Sequence, residues 1–545
     1  MSDSGQHTLF VTIRPTAEVT IKARTTRATF MRKLRLAAKD ALQRSGFEAR
    51  VFVRGNRVMA QIGAGPAAGG ADGVPDQDLA TRTLARVFGI GTFSFVEDET
   101  APDLESMVAL GRELYADRVQ GKTYAVRCKR MGRHGFSSMD VERKLGAALN
   151  PGAKVDLKHP EVTVEIEVDE RRALFLSQRH KGAGGLPLGT AGHALALLSG
   201  GFDSIVAAWS LMRRGVEVDF VHFRLGDLES ERLALRVAKL LSDTWGAGSR
   251  PEAHVIDLRP AMGELRGNLE SNLWQVGLKR LMVKAADAVA DALEEYAVTG
   301  PGPGEGAPRE RGRRVSRRRV DALVTGEAIG QVSSQTLSNL RAIDAAARRP
   351  VLRPLVAYDK SEIIALAERI GTAELSAKAV EECNITPVRP ATSSRAAHLE
   401  RQEQGMDDAA LAAAIAPVAL GVSRIPLRAM REGEGVLVAP AAGAGDGLRV
   451  NALPAGAVLL DCRDAAMRTW APDWPEVMAP PSDLGNVGAL DAERVYVAFC
   501  PFGQRSSYVA ERLREAGLRA FSFVGGEGGL RQYLAATDRG EAAPA

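Results

Sequence analysis

One six-residue segment has the residue types and the spacing to bind phosphate, and it reads Ser199-Gly200-Gly201-Phe202-Asp203-Ser204. The apolar run 194–198 before it predicts a buried strand, and the pattern from Ile205 to Arg214 predicts a helix that ends at Gly215. A strand, a glycine turn and a helix N-terminus direct backbone N–H groups and the helix dipole at phosphate oxygens. The glycines allow close approach, and the serine hydroxyls add donors. An ordinary turn with two glycines is the alternative.

This loop lacks the lysine of the GxxxxGK[ST] nucleotide loop. Its Ser-Gly-Gly-x-Asp-Ser pattern resembles the signature of the PP-loop ATP pyrophosphatases, which adenylate a carbonyl oxygen and release pyrophosphate. Gly121-Lys122-Thr123 looks like the end of a Walker loop, but Ala116 stands where that motif requires glycine.

A second strand–loop–helix pattern surrounds Cys500. The run 495–499 predicts a strand and 507–515 predicts a helix, and the Cys-x-x-Gly-x-Arg pattern between them resembles the active-site loop of rhodaneses. Such a loop directs successive N–H groups at one sulfur atom, and Arg505 adds positive charge, so a thiolate and a persulfide anion would be stabilised. We therefore predict that Cys500 carries sulfur. The alternative is a buried, inert cysteine.

The remaining cysteines and histidines give little sign of chemistry. Cys128 and Cys462 lie in strand patterns and are interpreted as structural. The 8 histidines show no metal-ligand pairing with cysteines, so we predict no zinc site and no protein-built metal centre. The 4 cysteines do not form a disulfide scaffold, which favours a reducing, cytoplasmic location. No membrane segment or secretory signal is expected.

Charge is distributed unevenly along the 545 residues, although the net charge is only +4. Residues 1–60 carry 12 basic and 4 acidic side chains, and residues 118–145 carry 8 and 2. Residues 401–545 carry 14 arginines against 18 acidic side chains. The N-terminal half therefore favours a polyanionic partner such as a nucleic acid, whereas the C-terminal part does not.

The elements around these motifs predict a multidomain α/β protein. Residues 8–62 have a βαββ pattern, with a helix over 26–45 and a type I′ hairpin turn at Gly55-Asn56. Strands and helices alternate over 190–400 and again from 458 onward. The arginine-rich segment 300–319 predicts a disordered loop whose role the sequence leaves open.

Several further motifs occur in order: 124–145, 150–168, 185–190, 323–336, 353–355 and 359–363. Together with the phosphate loop they resemble the bacterial tRNA 4-thiouridine synthetases, also called tRNA uridine 4-sulfurtransferases. The resemblance implies four domains. They are an N-terminal ferredoxin-like domain (1–75), a THUMP RNA-binding domain (76–180), a PP-loop ATP pyrophosphatase domain with an adenine-nucleotide-hydrolase-like parallel sheet (181–400) and a rhodanese-like domain (451–545). The weakly patterned, Ala/Gly-rich residues 401–450 predict a linker before the last domain.

The resemblance also implies roles for single residues. Leu197 and Leu198 would lie against the adenine, and the loop residues Ser199, Gly200, Gly201 and Ser204 would hold the phosphates of ATP. Asp203 would hold Mg²⁺ or orient the nucleotide, unless it only caps the helix. Lys279, Gly326 and Gln335 match further ATP contacts, and Lys360 matches a lysine near the activated phosphate. From the residues alone, Lys279 and Lys360 would pass for solvated surface lysines.

The implied reaction begins when a cysteine desulfurase passes sulfur to Cys500. The PP-loop domain adenylates O4 of uridine at position eight of tRNA, and the Cys500 persulfide or sulfide released from it displaces AMP. Cys383 resembles the second redox cysteine of the family, so a Cys383–Cys500 disulfide and a thioredoxin-type reductant follow. The family also supplies sulfur for the thiazole of thiamine, which brings in a thiazole sulfur-carrier protein. The sequence leaves homodimer formation open.

Two other functions are compatible with parts of the chain. Another PP-loop tRNA-modifying or amidating enzyme would explain the ATP motif but not the loop at Cys500. A non-catalytic RNA-binding protein would explain the basic N-terminal half but not the intact motif from Ser199 to Ser204.

Overall fold

The computed structural model describes residues 8–65, 68, 74–225, 228–299, 319–379, 389–419, 424–430, 448–463, 468, 470–481, 490–500, 504–524 and 526–538. Cys383 and nearly all of the segment 300–319 lie outside these ranges. The chain divides into two compact units. One comprises 1–191, 212–216 and 244–249, and the other comprises 192–211, 217–243 and 250–545. None of the described helices is long and apolar enough to cross a membrane.

The first unit contains one nine-stranded sheet and the helices that cover it. Its strands are β1 (Thr8–Pro15), β2 (Glu48–Arg54), β3 (Arg57–Gly63), β4 (Ile90–Thr100), β5 (Thr123–Arg130), β6 (Lys154–Val155), β7 (Val162–Val168), β8 (Ala173–Leu176) and β9 (His180–Lys181). Its helices are α1 (Ala17–Thr20), α2 (Arg24–Arg44), α3 (Gln77–Ala85), α4 (Leu104–Val119) and α5 (Ser138–Leu149). The strand order is β2-β3-β1-β4-β8-β7-β5-β6, and β9 pairs with β4.

Strand β4 joins the two parts that the sequence divided at residue 75. Its first half pairs with β1 and its second half with β8, both antiparallel. The order β2-β3-β1-β4, with α2 and α3 as connections, has the βαββαβ arrangement of ferredoxin-like folds. Separate hydrophobic clusters lie under each half, one around Leu34 and Phe93 and the other around Leu145 and Phe175. The N-terminal half is therefore one sheet with two cores.

The hairpin between β2 and β3 forms as predicted, with Arg54 opposite Arg57, but its turn differs. A type I′ turn needs positive φ at both central residues. Gly55 has φ +57°, whereas no described residue other than glycine has a positive φ. The prediction of a type I′ turn is wrong. Gly55 occupies the first central position of the turn with its positive φ, as a type II′ turn requires, and Asn56 at the second position has an ordinary negative φ.

The second sheet carries the predicted phosphate loop. Its strands are β10 (His193–Leu198), β11 (Glu217–Arg224), β12 (Glu252–Asp257), β13 (Ala322–Val324), β14 (Val351–Leu352) and β15 (Arg424–Pro426), in the order β14-β13-β10-β11-β12-β15. The helices are α6 (Phe202–Met212), α7 (Leu228–Trp245), α8 (Arg259–Asn268), α9 (Trp274–Thr299), α10 (Leu337–Asp344), α11 (Lys360–Ile370), α12 (Ala373–Ser376), α13 (Ala396–Glu403) and α14 (Asp408–Ala419), with 3₁₀ turns at Ser271–Leu273 and Ser333–Gln335. The first five strands in this order are parallel.

Part of the predicted linker 401–450 belongs to this sheet domain instead. Strand β15 pairs antiparallel with β12, and Arg424 donates three hydrogen bonds to the Glu252 carboxylate, one to Oε1 and two to Oε2, at 2.7–3.0 Å. Ile415 of α14 joins the hydrophobic cluster that contains α9. Small alanine side chains let α14 pack closely on its neighbour, which composition alone did not reveal.

A third sheet, fully parallel, forms the C-terminal region. Its strands are β16 (Arg449–Val450), β17 (Val458–Asp461), β18 (Val477–Met478), β19 (Val495–Phe499) and β20 (Arg519–Phe523), in the order β16-β20-β19-β17-β18. Helix α15 (Gln504–Glu515) follows β19, and α16 (Gly526–Asp538) follows β20. Two hydrophobic clusters, one around Leu513 and one around Leu530, belong to this region.

Candidate active site

The predicted phosphate loop lies between the end of β10 at Leu198 and the start of α6 at Phe202. Gly200 has φ +83°, a conformation that favours glycine. The backbone N–H of Ser199 donates to Oγ of Ser204 at 3.3 Å, and the two hydroxyl oxygens are 3.2 Å apart. Ser199 is exposed and Ser204 is buried. The serines therefore brace the loop, and its N–H groups lie at the N-terminus of α6.

Gly326 lies directly against this helix N-terminus. A Cβ atom at Gly326 would lie 2.4 Å from the carbonyl carbon of Asp203 and 2.6 Å from the backbone nitrogen of Ser204. Sequence reasoning predicted that a bare backbone here would let a ligand approach. The structure adds a nearer reason for glycine, because the close neighbour is the backbone of the loop itself.

Asp203 and Lys360, two predicted catalytic residues far apart in sequence, meet at this point. The Nζ atom of Lys360 donates to both carboxylate oxygens of Asp203 at 2.9 Å. Lys360 is the first residue of α11, where Asp359 forms a capping box with Glu362. Both side chains remain partly exposed, at 46% for Lys360 and 25% for Asp203. Such a pair can exchange its partners for a phosphate or a cation.

The other predicted nucleotide residues lie on neighbouring elements. Leu197 and Leu198 end β10, half-buried and buried respectively. Gln335 lies in the 3₁₀ turn, only 8% exposed, and its Oε1 has no hydrogen-bond partner in the described part of the chain. A buried acceptor of this kind is suited to a ligand donor such as an adenine amino group. Lys279 lies half-buried on α9.

His222 is a residue that sequence reasoning missed. It lies on β11, beside β10, and is 3% exposed. Its Nδ1 donates to the carbonyl oxygen of Leu198 at 3.0 Å, which fixes the last carbonyl before the loop. Burial lowers the pKa of His222, although the charge of Glu231 acts in the opposite direction. The imidazole is therefore neutral. A histidine inside an apolar strand pattern was the available signal.

Cys500 ends β19 and is 3% exposed. The backbone N–H of Ser506, in the first turn of α15, points at its Sγ atom at 3.4 Å, and the Ser506 hydroxyl is 3.5 Å away. Ser522 donates to that hydroxyl at 3.0 Å. The carbonyl of Cys500 accepts from the N–H of Glu527 at 2.8 Å. The sulfur thus faces a helix N-terminus, the arrangement predicted for a sulfur carrier. The side chain of Arg505 lies outside the described parts.

The two other thiols in the described ranges, Cys128 and Cys462, are in inert surroundings. Burial raises the pKa of Cys128 to about 11, so this thiol stays protonated near neutral pH. Cys462 is buried beside Asp461 and Arg463, whose side chains form a buried ion pair at 2.8 Å. The guanidinium of Arg463 also lies 5.1 Å from the ring centroid of Phe499. These contacts agree with the interpretation of Cys462 as a structural residue.

One cluster of potential metal ligands was not foreseen. Asp219, Glu252 and His254 can bring one ligand atom each within 4.8 Å of one another. It lies toward the edge of the sheet opposite to the phosphate loop, since Glu252 begins β12 and Asp219 is the third residue of β11. Glu252 binds Arg424, and Asp219 binds His193 at 2.9 Å and the N–H of Glu252 at 2.8 Å. These contacts provide hydrogen-bond partners for both carboxylates and explain the cluster as structural.

A basic cavity of about 800 Å³ lies between α2 and the β2–β3 hairpin. Four arginines line it, namely Arg24, Arg27, Arg32 and Arg35. Arg27 and Arg35 donate to backbone carbonyls at 3.1 and 3.4 Å, and carbonyl oxygens do not neutralise a guanidinium charge. Phe52 and Val53, which also line the cavity, are 36% and 41% exposed. Concentrated guanidinium charge beside an exposed aromatic ring suits a nucleic acid backbone.

Comparison with known proteins agrees with this arrangement. The family model "Thiamine biosynthesis protein (ThiI)" matches residues 189–304 and 313–407, and the THUMP domain model matches 101–176. A tRNA sulfurtransferase of Edwardsiella ictaluri is 36% identical over 81% of this chain and 86% of its own length. One from Pyrobaculum aerophilum is 34% identical over 94% and 96%. A crystal structure of a 4-thiouridine synthetase–RNA complex with bound ATP has a TM-score of 0.59 and 26% identity, and it covers 76% of this chain and 98% of that chain.

Proposed function

The chain belongs to the ThiI family of tRNA sulfurtransferases, and we propose how its residues divide the work of forming 4-thiouridine. The enzyme transfers sulfur to tRNA in an ATP-dependent reaction. The observation that carries our assignment is the meeting of Asp203, Lys360 and Gly326 at the N-terminus of α6. We assign the activation chemistry to this point and the sulfur chemistry to Cys500.

Activation would take place at the end of β10. The backbone N–H groups of Gly200 and Gly201, with the Ser199 and Ser204 hydroxyls, would hold the phosphates of ATP at the helix N-terminus. Lys360 would move from Asp203 to the phosphate that is attacked. We assign Leu197, Leu198 and Gln335 to the adenosine part, and Lys279 to a further ATP contact implied by the resemblance alone.

Mg²⁺ fits the donor set at this point, because a partly exposed carboxylate beside a phosphate loop is a ligand that Mg²⁺ prefers. Asp203 would hold it. When bound, the ion would supply positive charge that neutralises the phosphates. Lys360 would then be free to pair with the substrate rather than with Asp203.

Docking of tRNA would use the basic N-terminal half, which we divide into the ferredoxin-like domain (1–75) and the THUMP domain (76–180). The arginines that line the cavity next to α2 supply positive charge for RNA phosphates, and contacts of this kind do not recognise base edges. RNA duplexes are recognised largely through shape and backbone, which agrees with this surface. The substrate base would be the uridine at position eight.

Sulfur transfer would begin with a Cys500 persulfide made by a cysteine desulfurase. The PP-loop domain (181–400) adenylates O4 of the uridine and releases pyrophosphate. The terminal persulfide sulfur attacks C4, and AMP leaves with the oxygen. A Cys383 thiolate then attacks the Cys500 sulfur, which forms the Cys383–Cys500 disulfide and releases the thiolated base as the leaving group. Alternatively, Cys383 attacks first, and the released sulfide attacks C4.

A thioredoxin-type reductant would regenerate both thiols. The rhodanese-like assignment for 451–545 is supported by the thiol at a helix N-terminus on a parallel sheet, and there Arg505 would add charge. The family name suggests a second role, the supply of sulfur to a thiazole sulfur-carrier protein for thiamine.

The experiment is a paired assay on the purified full-length chain with unmodified tRNA. One arm measures pyrophosphate release from ATP with and without tRNA, and the other measures 4-thiouridine by mass spectrometry after addition of a desulfurase and cysteine. We expect tRNA-dependent pyrophosphate release and 4-thiouridine at position eight. Pyrophosphate release that is independent of tRNA, or thiolation at another position, would contradict the proposal.

A further inference from the structure

A buried ion pair connects the domain built on the second sheet (β10–β15), called the nucleotide sheet domain, to the domain built on the third sheet (β16–β20), called the C-terminal sheet domain. Arg259, the first residue of α8, binds Glu511 in the middle of α15. Both side chains are almost fully buried, at 8% and 6% exposure. A buried charge without its partner is costly, so this pair favours contact between the two domains.

Arg259 is held rigidly on its own side. Its Nε and Nη2 atoms bind the two carboxylate oxygens of Asp257 at 2.9 and 2.6 Å. Asp257 is the last residue of β12. Strands β12, β11 and β10 are parallel neighbours, so Asp257 lies at the same edge of the sheet as the loop after Leu198. The guanidinium is therefore presented at the edge where ATP would bind.

In the C-terminal sheet domain, Glu511 lies on the helix whose first turn contacts the Cys500 thiol. It belongs to the same helix as Ser506, whose N–H points at the Sγ atom of Cys500. A helix is a rigid rod over this distance. A contact at Glu511 therefore restrains the direction from which Cys500 faces the nucleotide domain.

The hydrophobic cores of the two domains remain separate in the described residues. The clusters of the C-terminal sheet draw their members from Leu448 onward, whereas the cluster of the nucleotide sheet ends at Ile415. Domains that meet through polar groups rather than a shared core can separate and dock again. The ion pair thus has the properties of a specific but reversible contact.

We propose that Arg259 and Glu511 are positioning residues that dock the Cys500 domain onto the carboxyl edge of the nucleotide sheet for sulfur transfer. This inference rests on the proposed function, because it assumes that Cys500 delivers sulfur to a base activated at the PP-loop. Neither residue touches the reacting atoms. Their effect is on the delivery step and not on activation or on loading of the thiol.

The test is a double-mutant cycle with Arg259→Ala, Glu511→Gln and the double variant. Each single change is expected to slow 4-thiouridine formation from preloaded persulfide at least about tenfold. The double variant is expected to be no slower than the slower single variant, because both changes break one contact. Glu476→Gln is the matched control, since Glu476 pairs with Arg494 on the same sheet at 2.6 Å and both belong to the C-terminal region.

Three further readouts separate docking from other causes. Pyrophosphate release and persulfide loading are expected to stay within about twofold of the parent, which would show that both sites are folded. Sodium sulfide, which needs no carrier domain, is expected to restore thiolation in all variants. Equal rates in parent and variants, multiplied losses in the double variant, or failure of sulfide to restore the rate would each overturn the inference. Failure of the proposed function would instead abolish tRNA-dependent pyrophosphate release in the parent itself.

Discussion

The loop at Ser199–Ser204 and the loop at Cys500 both connect a central parallel strand to the N-terminus of a helix, but they present their polar groups differently. Ser199 is exposed, and the Asp203–Lys360 pair beside it is also open to solvent. Cys500 is buried under Ser506 and Ser522. A site that binds ATP together with an RNA substrate has to be open to solvent. A sulfur anion of one or two atoms needs shielding from water and oxidants instead.

The two loops also differ in what holds them. Lys360 is 157 residues from Asp203, and Gly326 packs on the same turn from a different strand. Ser506 is only 6 residues from Cys500. The nucleotide loop therefore depends on tertiary contacts, whereas the described contacts to the Cys500 sulfur come from the helix that follows its own strand. We expect the two half-reactions to be separable by mutation, and four predictions test how far.

The largest effect is expected for Cys500→Ser. The hydroxyl cannot carry a persulfide, so 4-thiouridine formation should fall at least about 10³-fold. The PP-loop is untouched, so tRNA-dependent pyrophosphate release should stay within about threefold of the parent. Cys128→Ser is the matched control and should thiolate normally, because the raised pKa of Cys128 keeps that thiol protonated. Loss of pyrophosphate release in Cys500→Ser would mean that the two loops do not divide the reaction.

The reciprocal change is Gly326→Ala. A methyl group 2.4 Å from the backbone of Asp203 must displace the start of α6. A displacement of this kind should slow pyrophosphate release about 100-fold, while persulfide loading of Cys500 by a desulfurase stays unchanged. Gly263→Ala is the control, since nothing lies within 4 Å of its added Cβ. Normal pyrophosphate release in Gly326→Ala would show that the loop tolerates movement and that its tertiary contacts are not needed.

This contrast also explains what could be predicted from the sequence. The strand before each loop and the helix after it follow from local apolar patterns, and both were predicted within a few residues. The contact of Gly326 with Asp203, the hydrogen bond from His222 and the ion pair of Arg259 with Glu511 join distant segments. No local pattern marks such contacts. The addition of α14 and β15 to the nucleotide sheet was hidden for the same reason.

A smaller effect is expected for Ser506→Ala. The change removes the hydroxyl 3.5 Å from Sγ but keeps the backbone N–H at 3.4 Å. One hydrogen bond to the sulfur is lost, so persulfide loading should slow about three- to tenfold. Ser522→Ala should have a weaker effect, because Ser522 only orients the Ser506 hydroxyl. The measurement is the rate of the thirty-two-dalton mass gain on the protein. A loss as large as that of Cys500→Ser would mean that the hydroxyl, and not the helix N-terminus, holds the anion.

The smallest expected effect is on the pH dependence of stability, which His222 changes at the nucleotide loop and not at the loop of Cys500. His222 holds the carbonyl before the nucleotide loop as a neutral imidazole, and burial lowers its pKa below the usual 6.5. Below about pH 6.5 the unfolded chain binds a proton at His222 that the folded chain does not bind. The free energy of unfolding should therefore decrease as the pH is lowered, by up to about 1.4 kcal/mol per pH unit. His222→Asn can still donate to Leu198 but does not titrate, so it should lose less stability than the parent between pH 7.5 and 5.5. Calorimetry of the transition that ATP stabilises measures this difference, with the exposed His159→Asn as the control. Parallel pH curves for the parent and His222→Asn would contradict this prediction. They would mean that the Leu198 carbonyl is held without a neutral imidazole, and that acid weakens the nucleotide loop no more than it weakens the contact of that loop with Gly326.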